Sequence, residues 1–128
     1  MYISLCYKQY PIKMSLQAMR EFKTATGKDL WYCLMLVFET YLKNSDKPVF
    51  TLLRELYGAV DFDTASQMFH ALIDDKSIEL EQVQDAMYRV GWRPVDEEYS
   101  EKRQPYPLVL VQAAQIVDAQ MVEVIKKK

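Results

Sequence analysis

At 128 residues the chain is long enough for one domain with one core, and a composition half hydrophobic and 27% charged is that of a folding chain, not a disordered one. A net charge of −2 supplies no global field toward DNA, RNA or anionic lipid. The two cysteines, Cys6 and Cys33, form no CxxC and point to a reducing compartment or to indifference.

Met1 to Pro11 lacks the basic start and apolar core of a signal peptide. The longest apolar run, Leu30 to Phe38, is about half of a membrane span. The expectation is a soluble cytoplasmic protein without a membrane partner.

In chain order, Tyr2 to Ile12 comes first. It alternates loosely, with Ile3, Leu5 and Tyr7 on one side, and predicts a strand or small hairpin turning near Tyr7-Lys8-Gln9. Ser15 caps a helix whose inner face is Leu16, Met19 and Phe22, and Gly27 ends it. Gly27, Gly58 and Gly91, the three glycines of the chain, each follow helical spacing and read as C-terminal caps.

Asp29 caps a second helix, with Leu30, Cys33, Leu34, Val37, Phe38, Tyr41 and Leu42 on one face. Pro48 opens a third, with Val49, Leu52, Leu53, Leu56 and Tyr57 inside. Asp61 or Asp63 starts a fourth around Ala65, Met68, Phe69, Leu72 and Ile73. Ser77 caps a fifth, with Leu80, Val83, Met87 and Val90 inward and Gly91-Trp92-Arg93-Pro94 closing it.

Residues 94–107 carry charge without periodicity and read as a linker. The last helix, 108–126, has a stripe of Leu110, Ala114, Val117, Met121 and Val124, widened by Val109, Ala113, Ile116 and Val122. The whole is a single mainly α domain of five to six helices: a β element at 1–13, a helical core at 15–92, a charged linker and a C-terminal helix.

The polar motifs do not carry chemistry. A phosphate loop needs GxxxxGK followed by Ser or Thr, between a strand and a helix. Here Phe22 stands five before Gly27, Asp29 replaces the hydroxyl, and a helix precedes the motif. A helix end followed by a helix start explains Gly27-Lys28-Asp29 instead.

Asp61-Phe62-Asp63 fails as a calcium loop, because Ser66 holds the glycine position and Leu72 the closing glutamate position. His70, the one histidine, falls beside Ser66, Gln67 and Asp74 on a polar face, with no second metal ligand and no nucleophile. Asp74, Asp75, Glu79 and Glu81 suit a loop and a helix start. Lys126-Lys127-Lys128 suits a helix end and is too short to argue for nucleic acid. No catalytic, cofactor or metal residue is assigned.

What remains is excess apolar surface. Trp31, Tyr32, Met35 and Leu36 lie off the inner face of the second helix and are apolar too. A helix apolar nearly all round is central in a bundle or part of an interface. The wide stripe of the last helix raises the same question. Trp31, Tyr32, Met35, Leu36, Val117 and Met121 are therefore the candidate protein-interaction residues. Self-assembly into a homo-oligomer is expected through these helices.

The stretch SLQAMREFKTATGKDLWYCL, a helix ending in T-G-K-D-L and running into an apolar helix, resembles the tail assembly chaperones of long-tailed, siphovirus-type bacteriophages. The β-like segment from Tyr2 to Lys13 is similar to that family's N-terminal region. The likeness is clearest over residues 1–57 and continues as a helical order to about residue 92.

The resemblance implies a mainly α fold and no catalysis. It implies association with the tape measure protein, whose hydrophobic helices these chaperones keep soluble, and help in recruiting tail tube subunits. It also implies self-association, residence in the host cytoplasm and absence from the mature virion. Many members have a longer form made by ribosomal frameshifting, and the terminal lysines would suit an adenine-rich slippery run. No binding residue of the family carries over to a defined position. The alternative from the residues alone is a small helical nucleic-acid-binding regulator, with the fourth and fifth helices as a helix-turn-helix; acidic helix starts and the lack of a basic face count against it.

Overall fold

The computed structural model describes residues 1–6, 8–91 and 105–126. Tyr7, the end of the fifth helical pattern from Trp92 onward and most of the expected linker lie outside the described residues.

Strands β1 (Tyr2–Leu5) and β2 (Lys8–Pro11) form an antiparallel hairpin, with Tyr2 opposite Pro11 and Leu5 opposite Lys8. Cys6 enters the turn at φ 52°, the positive value that a two-residue hairpin loop requires at its first position. The cross-strand pair Ile3 and Tyr10, together with Leu5, is buried on one face; Tyr2 and Gln9 lie on the other, and Lys8, at the edge of the buried face, is exposed.

The hairpin does not stop at Pro11. Ile12 makes an antiparallel bridge to Ile73; Lys13 N–H donates to Leu72 O at 2.9 Å and Asp74 N–H to Pro11 O at 2.7 Å. These bonds tie the N-terminal segment to the far end of the fourth helix, a pairing with no local sequence signal.

Helix α1 (Leu16–Thr26) starts at Ser15, whose Oγ accepts from Ala18 N–H at 3.0 Å. Its buried residues are Ala18 and Phe22, and it packs on the fourth helix. Leu16, expected inside, is 63% exposed, and Met19 is half-buried. The face is rotated because the small Ala18 admits the neighbouring helix, whereas a reading by large apolar residues selects Leu16.

Gly27 takes φ 74°, and its N–H donates to Lys23 O at 2.7 Å. Asp29 then accepts from Tyr32 N–H at 2.9 Å and starts α2 (Leu30–Asn44). The Gly-Lys pair is thus a turn from cap to cap.

Helix α2 packs on α1, on α3 (Val49–Ala59) and on the C-terminal helix. Leu30, Leu34 and Val37 are its buried apolar residues, and Trp31, Cys33, Phe38 and Tyr41 pack partly against the core. Leu42 and Val49, both expected inside, are exposed. Gly58 is not a cap either: α3 runs through it to Ala59, and its φ is not positive.

Helix α4 (Phe62–Leu72) is capped by Asp61, which accepts from Thr64 N–H at 2.6 Å. Ala65, Met68, Phe69 and Leu72 are all buried, as is Ile73 just beyond. Ser66 is buried as well, its hydroxyl donating to Asp63 O at 2.7 Å and accepting from Gln84 Nε2 at 3.4 Å.

Ser77 does not cap α5 (Leu80–Gly91); its N–H and hydroxyl both donate to Asp75 Oδ1 in the preceding turn. Gln82 Oε1 instead accepts from Glu79 N–H at 2.7 Å, half of a capping box. Val83, Ala86 and Met87 are buried, and Leu80 is half-buried. The side chain of Val90 lies outside the described set.

Helix α6 (Tyr106–Lys126) begins two residues earlier than its apolar pattern. Tyr106 makes edge contacts with Tyr57 at 5.3 Å and Phe62 at 5.9 Å between ring centroids, wedging the helix start between α3 and α4. Val109, Leu110, Ala113, Ala114 and Val117 are buried, and the helix packs on α2, β1, α3, α4 and α5. The last helix therefore completes its own domain's core.

Candidate functional surface

Helix α2 is central, yet its outer face is not polar. Tyr32 is 66% exposed, Met35 55% and Leu36 38%. At spacings of three and four residues these side chains share one helical face. Glu39 and Lys43 continue it as an ion pair at 2.8 Å, and Leu42 lies beside them. The outer face of α2 is thus apolar in its first half and charged toward its C-terminal end.

A cleft runs along each side of this ridge. One, of about 270 Å³, lies between α2 and α6 and is lined by Trp31, Leu34, Met35, Phe38, Glu39, Leu42, Ala114 and Asp118. The other, of about 370 Å³, lies between the start of α2 and the junction of α3 with α4; Tyr32, Cys33, Leu36 and Val60 line it, with Lys28, Asp29, Asp61 and Thr64 around them.

The polar groups of the second cleft are occupied by the fold. Asp29 and Asp61 cap α2 and α4. The N–H and hydroxyl hydrogen bonds from Thr64, with a smaller attraction from Lys28, hold the Asp61 carboxyl below its ordinary value. Lys28 Nζ reaches Thr64 Oγ1 at 3.5 Å. Burial pushes the Cys33 thiol up, against the pull of Lys28, which suppresses the thiolate a nucleophile needs.

Of the candidate interaction residues, Tyr32, Met35 and Leu36 form the exposed ridge and Trp31, half-buried, forms a wall of the α2–α6 cleft. Val117 is not on this surface: it is fully buried, because α6 turns that stripe into the core. The side chain of Met121 lies outside the described set. Sequence reasoning missed Phe50, 77% exposed at the start of α3; its apolar ring falls out of register with Leu52 and Leu56, which was the available signal.

The other polar motifs have structural partners. His70 Nε2 lies 3.1 Å from Ile78 O, so the histidine closes the α4–α5 connection rather than pairing with Asp74. Asp75 is held low by the hydroxyl and N–H of Ser77. Among the described residues no group of histidine, cysteine, aspartate or glutamate is placed to hold a metal ion, and no helix is long and apolar enough to cross a membrane.

No family model matches the chain, and no curated protein or solved structure matches it.

Proposed function

We propose that the chain is a bacteriophage tail assembly chaperone that acts by binding and not by catalysis, with the tape measure protein as its partner. The observation that carries the reading is the exposed ridge of Tyr32, Met35 and Leu36 on a helix whose opposite face already fills a core. Apolar area left in water is unfavourable by about 25 cal/mol per Å², and a partner's apolar helix would remove it. Methionine adapts to varied contacts, which suits a client with a long and uneven hydrophobic surface. Recruitment of tail tube subunits, self-association, a longer frameshifted form and a place in the host cytoplasm but not in the virion belong to the same reading. They come from the resemblance carried by the α1–α2 segment.

The nucleic-acid-binding regulator is the weaker reading. Helix α5, its recognition helix, exposes Glu81 and Asp85, and Arg89 is paired with Asp85 at 2.9 Å. That leaves little positive charge for phosphate.

Co-expression with a tape measure fragment tests the proposal. The expected result is a soluble fragment that co-purifies with the chain. No gain in solubility and no co-purification would remove the reading.

A further inference from the structure

We propose that the cleft between α2 and α6 takes an amphipathic helix carrying Lys or Arg beside its apolar anchors. The inference deepens the chaperone reading and rests on it for the partner's identity, while the cleft's own chemistry defines the occupant.

The α2 wall is Trp31, Met35, Phe38 and Leu42, a periodic row of apolar side chains with the buried Leu34 at its base. From residue 31 to 42 it runs about 16 Å at the helical rise. The opposite wall is α6, where Ala114 is small and leaves room for a side chain to enter. A segment laid in this groove meets helix walls whose backbone groups are already bonded within the helix. It must satisfy its own N–H and C=O groups, and a helix does so where a strand cannot. Anchors at i, i+3 or i+4, and i+7 match a row of this length and period.

Charge selects the flanks. Glu39 and Asp118 both line the cleft. Lys43 pairs with Glu39, but Asp118 has no ion-pair partner among the described residues. Among the described residues the rim is therefore net negative, in a chain whose charge is already −2. Such a rim attracts a cationic flank and repels an acidic one. In the cleft on the other side of the ridge both carboxylates, Asp29 and Asp61, already cap helices and Lys28 stands beside them.

Two labelled synthetic helical peptides test this on the full chain by fluorescence anisotropy. They share apolar anchors at i, i+3, i+7 and i+11 and differ only in Lys or Glu beside them. The Lys peptide should bind about tenfold tighter or more, and less tightly as salt rises. Asp118→Lys, an exposed change whose fold circular dichroism checks, should reverse the preference.

Equal binding of the two peptides, no binding of either, or a preference that survives Asp118→Lys overturns the proposal. So does sedimentation showing that the chain dimerises through this cleft, with dimers lost in Met35→Glu and neither peptide bound. The chaperone reading fails separately: the Lys peptide would bind while the tape measure fragment did not co-purify. Conversely, co-purification indifferent to Asp118→Lys, with no peptide preference, would leave the chaperone reading and remove the cleft.

Discussion

His70 Nε2 lies 3.1 Å from the carbonyl oxygen of Ile78. A carbonyl only accepts, so Nε2–H is the donor in this bond. The bond spans the turn between α4 and α5 and joins Ser66 and Gln84 in holding the two helices together. His70→Ala should lower stability by about 1 kcal/mol through loss of this bond. Partner binding should not change, because His70 lies apart from the α2 ridge. Urea unfolding, with co-purification as the second readout, checks both outcomes.

Asp61 should make α4 acid-sensitive. Its carboxyl is held below the ordinary value by Thr64, so the unfolded chain binds the proton more readily than the folded one. The stabilisation is complete above the ordinary aspartate value, about 3.9, and is lost as pH falls through the lower folded value. Asp61→Ala should cost about 1 kcal/mol at neutral pH and be less sensitive to acid than the wild type. Denaturant midpoints at neutral pH and at about pH 3 give the comparison.

Tyr106 should act at the opposite end of the scale. Burial, with smaller contributions from Tyr57 and Asp61, pushes its phenol from 10.0 up to about 12. Its contribution is intact below the ordinary value of 10.0 and lost as pH rises through about 12, because the unfolded chain ionises first. Tyr106→Phe should keep the edge contacts with Tyr57 and Phe62 and show a shallower alkaline loss of stability. An unchanged alkaline profile would contradict this.

Gly27→Val should destabilise the chain by about 1–2 kcal/mol through the positive φ alone. Beyond the chain neighbours no atom lies within 4 Å of where the new Cβ would sit, so the Cβ itself meets open space. Gly27→Asn should therefore be milder, since asparagine tolerates this conformation better than a branched residue. Thermal unfolding of the two variants gives the order. Equal losses would point to a cause other than backbone strain.

The local signals were legible because they depend on neighbours in sequence. Ser15, Asp29 and Asp61 cap helices where side-chain oxygens meet nearby N–H groups. The periodic rows of α2, α4 and α6 placed Leu34, Phe69 and Leu110 in the core. What depends on distant partners was hidden. The Ile12–Ile73 bridge, the aromatic wedge at Tyr106 and the rotation of α1 onto Ala18 are each decided by another element. The ridge was legible as apolar residues surplus to one face. Val117 was misplaced on a partner-facing surface because an apolar stripe does not say which neighbour covers it.

In the proposed function the α2 ridge binds the tape measure protein. Co-purification of a tape measure fragment with Tyr32→Lys/Met35→Glu, beside His70→Ala as a matched stability control, tests it most directly. The ridge variant should keep its fold and lose the fragment, while the control keeps it. A folded ridge variant that retains the fragment at wild-type yield would contradict binding through the ridge.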